Sequence, residues 1–262
     1  MLNSLRNSPF GRRLVTLAEG LFRFLTPMGV LRTVDGERFR VDTRVRYLWN
    51  AGREPELRLF IREHLGADET VLDVGSHAGV YVLLFTRWSS RARVHAFEPN
   101  PATREVLARH IRFNGVGDRV TINRVAVSDR TGRATFFALP LEGMSRLGTA
   151  NPEIAGRAVP LSVETVSVDD YCMRHAIAPT WLRVDVEGFE FAVLRGARTV
   201  IRRGRPGLRI VVEMHPSAWK DAGETPESAR ALLDDLGLEP IGLTGQRDPL
   251  ADYGIVHLAY RP

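Results

Sequence analysis

The ten residues 70–79, reading TVLDVGSHAG, constrain this chain more than any others. Val71, Leu72 and Val74 form a short apolar run with one acid, Asp73, near its end. Such a run suits a buried parallel strand. Gly75 and Gly79 bracket a turn, and the apolar residues 80–85 continue as a helix. A strand, a glycine turn and a helix start together make a nucleotide pocket. Glycines let the backbone approach a ligand, and the helix start offers unpaired N–H groups.

The spacing narrows the ligand. The dinucleotide fingerprint G-x-G-x-x-G fails, because Gly75 is followed by Ser76, His77, Ala78 and only then Gly79. The pattern Asp-x-Gly-x-x-x-Gly instead resembles the first motif of class I S-adenosylmethionine (SAM) methyltransferases. Downstream, strands and helices alternate. Strands are expected at residues 93–97, 120–127, 181–186 and 208–214, and helices at 56–65, 103–113, 189–202 and 226–236. That alternation implies a mostly parallel sheet with helices on both faces. Two late strands, at 240–243 and 253–260, suggest an antiparallel C-terminal edge strand. Residues 133–139 and 161–168 read as an inserted hairpin. The Gly- and Pro-rich stretch between them, 140–160, reads as a lid or surface loop.

Ahead of this pattern, Leu14, Leu17, Ala18, Leu21, Phe22 and Leu25 recur at helical spacing, and Pro27 stops the run. A helix packing on its own domain or lining a substrate cleft is favoured over a membrane-surface helix, because basic residues are few. Asp35-Gly36 between two short β-like runs signals a hairpin. The expected division is therefore a helix-and-hairpin cap, 1–50, on a catalytic domain, 51–262. Residues 1–50 hold nine arginines against four acids, whereas the rest balances 27 basic against 27 acidic residues. A near-neutral body does not suggest a nucleic-acid surface. The single Cys172 excludes an internal disulfide and fits a reducing compartment. No membrane-spanning run or secretory signal is evident, so the cytoplasm is the expected location.

In open α/β sheets the ligand lies beyond the carboxyl ends of the strands. Glu98 ends the second strand some twenty residues past the glycines, where an acid accepts hydrogen bonds from ribose hydroxyls. Small residues around Ala126 end the third and suit an adenine ring. Asp185 and Glu187 end the fourth. Asp185 can face the cofactor's methionine end or the substrate, and Glu187 has helix capping as its ordinary explanation. His215 ends the fifth, and a histidine at a cleft mouth can act as a general base. With Asp185 and Glu187 it forms the expected catalytic set. These groups could also bind a divalent cation, but no compact ligand motif appears and no metal is expected.

These pieces in order resemble the FkbM family of SAM-dependent methyltransferases. The matching segments include Gly52-Arg53-Glu54-Pro55, Val71 through Gly79, Ala96 through Pro101, Ala126-Val127-Ser128-Asp129, Leu182 through Glu190 and Glu213-Met214-His215-Pro216. The Asp185-Val186-Glu187-Gly188 segment is the most distinctive. The resemblance implies a Rossmann-like class I methyltransferase fold, SAM as methyl donor, and O-methylation of a natural product, sugar or glycan. Asp73, Gly75 and Gly79 would then hold the methionine end of SAM, with Ser76 and His77 in the same turn. His77 and Ala78 stand where the family commonly has Asn-Ile. The rival readings are a nucleotide-binding oxidoreductase and a non-catalytic, membrane-docked or scaffold protein with a vestigial pocket.

Overall fold

The computed structural model describes residues 28–262, so the helical pattern at 14–25 lies outside it. The described chain opens with strands β1 (Val30–Val34) and β2 (Glu37–Val41), paired antiparallel. Asp35 and Gly36 join them, both at positive φ (50° and 83°), as a two-residue hairpin of matching twist requires. A 3₁₀ turn, Thr43–Leu48, and helix α1 (Pro55–His64) lead into the main sheet. Val34, Phe39, Val41, Val45 and Trp49 share one apolar cluster with α1 and the sheet.

The sheet is built from β3 (Thr70–Val74), β4 (Arg93–Phe97), β5 (Val120–Asn123), β10 (Trp181–Val184), β11 (Arg209–Met214), β12 (Leu238–Gly242) and β13 (Gly254–Tyr260). Their spatial order is β12-β13-β11-β10-β3-β4-β5. The run from β11 to β5 is parallel throughout. β13 runs antiparallel to both β11 and β12, which makes the C-terminal edge antiparallel as expected, with β12 outermost. Helices α2 (Val80–Trp88) and α3 (Pro101–Asn114) cover one face with α1. Helices α5 (Glu190–Arg195), α6 (Arg198–Gly204) and α7 (Pro226–Leu236) cover the other. The period-two alternation of strands assigns the faces. Leu72, Val74, Leu182, Val184, Ile210 and Val212 join the α5–α7 core, while Val71, Trp181 and Val211 join the α1–α3 core.

Three local readings change. The expected third strand, 120–127, divides into β5 and a separate β6 (Ala126–Val127). β6 belongs to a second sheet of order β6-β9-β7-β8, with β7 (Gly132–Ala138), β8 (Arg146–Leu147) and β9 (Val159–Val166). β7 and β9 form the antiparallel pair read from sequence, and β8 adds a short strand inside the stretch 140–160. The expected helix 189–202 breaks at Gly196, where a Cβ would stand 2.2 Å from the Ser128 carbonyl oxygen. A helix absent from the sequence reading, α4 (Val168–His175), follows β9, capped by the Ser167 hydroxyl accepting from the Asp170 N–H.

Chain order fixes where a ligand can lie. After β3 the chain moves outward through β4 and β5, then returns to build β10 and β11 on the opposite side. The carboxyl ends of β3 and β10 therefore diverge into different connections and open a crevice between them.

Candidate active site

A cavity of ≈ 280 Å³ occupies that crevice. The β3–α2 turn gives it Gly75, Ser76 and His77; the end of β4 gives Phe97 and Glu98; the small sheet gives Ala126, Phe136 and Leu147. The end of β10 gives Asp185 and Glu187, and β11 gives Glu213. Tyr47 and Arg53 close the rim from the N-terminal side, with Glu142 and Arg146 from the loop within 140–160 and Tyr253 before β13.

The turn after β3 is held by its own backbone. The Gly75 and Ser76 N–H groups both donate to the Phe97 carbonyl (3.1 and 3.0 Å). The Ser76 hydroxyl donates to the Asp73 carbonyl (2.7 Å) and accepts from the Phe97 N–H (3.1 Å), so it ties β3 to β4. Gly75 sits at φ +80°, and a Cβ there would stand 1.8 Å from the Asp185 carbonyl oxygen. Only glycine lets the ends of β3 and β10 approach so closely. Glu98 is buried, and its carboxylate accepts the His77 N–H (2.9 Å) and the Asn100 N–H (2.8 Å), one on each oxygen. Burial nevertheless pushes its pKa up to about 7. Each oxygen retains acceptor capacity beyond its single amide, and Glu98 stands in the cavity wall. The His77 Nε2 is buried without a hydrogen-bond partner, and His77 lines the same wall.

Beneath the crevice lies a buried ion pair between neighbouring strands. Asp73 and Arg183 occupy paired positions on β3 and β10. Arg183 donates to Asp73 Oδ1 (3.0 Å) and to Asp185 Oδ2 (2.7 Å), and its guanidinium lies 4.3 Å from the Tyr81 ring centroid. The Tyr81 hydroxyl donates to Glu54 Oε2 (2.5 Å). Burial raises the pKa of Asp73, which Arg183 only partly offsets; at Asp185, burial opposes ionisation but Arg183 outweighs it and lowers the pKa.

The far wall is a carboxylate-rich corner. Glu190, fully buried, accepts from the Gly188 N–H (2.7 Å), the Trp219 indole N–H (2.9 Å) and His215 Nδ1 (2.8 Å). That bond turns His215 Nε2 toward Glu187 Oε1 at 3.7 Å and Glu213 Oε1 at 3.9 Å. The Tyr253 hydroxyl donates to Glu213. Burial lifts Glu187 to about 7 and Glu213 to about 8. His215 is drawn down by burial, but the hydrogen bond and charge of Glu190, with Glu187 and Asp185, outweigh this and raise it to about 10. Asp185, Glu187 and His215 bring ligand atoms within 4.8 Å of one another, which could hold a metal ion.

Of the residues read from sequence, Gly75, Ser76, His77, Glu98, Ala126, Asp185 and Glu187 line the cavity. Asp73 and Gly79 do not. Asp73 is locked behind the wall by Arg183. Gly79 opens α2 at φ +83°, where a Cβ would meet Leu107 Cδ1 at 2.4 Å. His215 stands behind Glu187 rather than in the cavity wall. Sequence reasoning missed Arg183, Tyr81, Glu190 and Tyr253. Arg183 carried a usable signal: a cation inside the apolar strand Trp-Leu-Arg-Val requires a buried acid beside it.

The profile described as "Methyltransferase FkbM domain" matches residues 73–239. The chain is 28% identical to the hexuronic acid methyltransferase AglP of Haloferax volcanii over 77% of each protein. It is 26% identical to the 2-O-methyltransferase NoeI of Sinorhizobium fredii, over 76% of this chain and 86% of that protein. A crystal structure of methyltransferase FkbM from Methylobacillus flagellatus superposes with a TM-score of 0.49 at 16% identity, covering 73% of this chain and 44% of the other.

Proposed function

The chain belongs to the FkbM methyltransferase family, and from that premise we propose that it transfers a methyl group from SAM to a hydroxyl of a sugar, glycan or polyketide-type acceptor. The observation that carries the reading is Glu98. It is a buried carboxylate at the end of β4, braced by two amides, standing in the wall of a crevice at the sheet's switch point. The wall suits SAM in its donor set. Glu98 would accept the ribose hydroxyls, Phe97, Val125 and Ala126 would flank the adenine, and the unpartnered His77 Nε2 and Asp185 would meet the methionine end.

SAM when bound supplies an activated methyl on a sulfonium. The protein's part is alignment and exclusion of water, worth up to ~7–11 kcal/mol in well-oriented reactions. Tyr47, Tyr253 and the loop bearing Arg146 would enclose the acceptor at the rim. Glu187 lines the cavity with no hydrogen bond from any described residue, and would accept the hydroxyl proton. Base assistance of that kind contributes typically ~10²–10⁴-fold. The names of the two relatives, which specify a hexuronic acid and a 2-O position, favour a carbohydrate hydroxyl.

The test is transfer of label from methyl-labelled SAM to a panel of uronic acids, neutral sugars and polyketide alcohols, with wild type and Glu187→Gln. Label on a hydroxyl oxygen, with turnover reduced ~10²-fold or more in the variant, is expected. Label appearing only on nitrogen or carbon acceptors contradicts the reading.

A further inference from the structure

We infer that the corner formed by Asp185, Glu187 and His215 binds a divalent transition-metal cation, of the Mn²⁺ or Zn²⁺ class, beside the acceptor. The inference rests on the methyl-transfer reading for its purpose but not for its evidence.

The three ligand atoms lie within 4.8 Å of one another, and His215 Nε2 stands 3.7 Å from Glu187 Oε1. That gap is too long for a hydrogen bond. It suits two ligands of one ion, because bonds of ~2.0–2.2 Å place neighbouring donors roughly 3–4 Å apart. The imidazole is also held as metal-binding imidazoles are, with its other nitrogen on a buried carboxylate. Here that carboxylate is Glu190, itself fixed by the Gly188 and Trp219 N–H groups.

The second observation is unused acceptor capacity facing the cavity. Glu213 is about nine-tenths buried and lines the wall, yet only its Oε1 has a hydrogen bond, from Tyr253; Oε2 has none from any described residue. Glu187 has no hydrogen bond at all from the described residues, and it is held at φ +54°, where L side chains are strained. Charge points the same way. Asp73, Asp185, Glu187, Glu190 and Glu213 crowd this region, and the cationic side chains touching them are Arg183 and His215.

Two carboxylates that line the cavity and an imidazole behind them make three protein ligands, leaving positions for water or substrate oxygens. That set fits Mn²⁺ or a catalytic zinc better than a closed structural zinc or an all-oxygen calcium site. The absence of a metal expected from sequence followed from the lack of a compact motif. The ligands instead come from the ends of two strands, β10 and β11, which the sheet brings together. An ion held there would supply a Lewis acid beside the acceptor oxygen, with one Glu187 oxygen on the ion and the other left to accept the hydroxyl proton.

The experiment is electron paramagnetic resonance titration of Mn²⁺ into the full chain after chelator dialysis, with SAM binding followed separately by calorimetry. One Mn²⁺ per chain should bind in wild type. Glu187→Gln and His215→Gln should each weaken it at least tenfold, and Asp170→Asn, an acid on α4 away from this corner, should leave it unchanged. Glu187 is partly exposed, so its variant is the one expected to fold normally, checked by circular dichroism. Mn²⁺ remaining free in wild type, or binding equally to all forms, overturns the inference. If SAM binds while Mn²⁺ stays free, the metal site fails and the methyltransferase reading stands. If Mn²⁺ binds in the stated pattern and SAM does not, the cofactor reading fails alone.

Discussion

Arg183 balances two acids from inside the sheet. Asp73 and Asp185 both lean on its guanidinium, and Tyr81 covers its face. Replacing it with methionine keeps much of the volume but strands two carboxylates, one fully buried. Breaking a buried pair typically costs ~3–5 kcal/mol. Arg183→Met should therefore lower the unfolding free energy measured by urea titration by an amount of that order, and an unchanged value would show that water reaches these acids. His110 is another residue whose protonation state the fold dictates. Its Nε2 accepts the Asp42 N–H (2.7 Å), and its Nδ1 meets the Ala78 carbonyl (2.7 Å). Burial pushes its pKa down from 6.5 to about 4. The ring is therefore neutral in the fold, and its stabilisation is complete above about pH 6.5. That stabilisation is lost as pH falls toward 4, a change of ~3 kcal/mol, because each tenfold drop in proton affinity is worth about 1.4 kcal/mol. In denaturation series from pH 7 to 4.5, the stability gap between wild type and His110→Gln should narrow on acidification. A constant gap contradicts the assignment.

Elements show which signals a sequence carries. The β3–turn–α2 unit was legible because an apolar run and two glycines state both its backbone and its burial. α7 kept its expected bounds because Thr225 caps one end and Gly237 the other. The acids at strand ends were legible because parallel strands present their carboxyl ends to one crevice. What escaped were contacts between distant segments. α4 was missed because its residues Asp169-Asp170 and Arg174-His175 break the apolar period, although Ser167 and those acids mark a helix start. Glu190 looked like one more acid on a helix until the fold brought Trp219 and His215 to it. The loop within 140–160, read as lid or surface, is pinned by Arg146. This buried side chain bonds Asp221 (2.6 Å) and the Thr149 and Ala150 carbonyls. Arg146→Ala removes charge-assisted bonds worth ~1.5–3 kcal/mol, so local opening should become at least ~10-fold more frequent. Limited proteolysis should cut this loop faster at a nearly unchanged melting temperature; equal cutting rates would mean the loop is held elsewhere.

At the scale of the molecule, one topological fact organises the rest. The chain builds outward in one direction from β3, returns, and builds in the other, leaving a crevice into which Glu98, Asp185, Glu187 and Glu213 project from three strand ends. The 3₁₀ turn and the segment after it close that crevice from the N-terminal side through Tyr47 and Arg53. Among the described residues no helix is long and apolar enough to cross a membrane. Whether the crevice receives SAM, with Glu98 on its ribose, is decided by calorimetric titration of SAM and of NAD into wild type and Glu98→Ala. One SAM per chain should bind wild type, with affinity falling roughly 10–100-fold in the variant, the equivalent of a lost charge-assisted bond of ~1.5–3 kcal/mol, and with no NAD heat in either. Binding of NAD without SAM, or identical SAM affinity in both proteins, would contradict it.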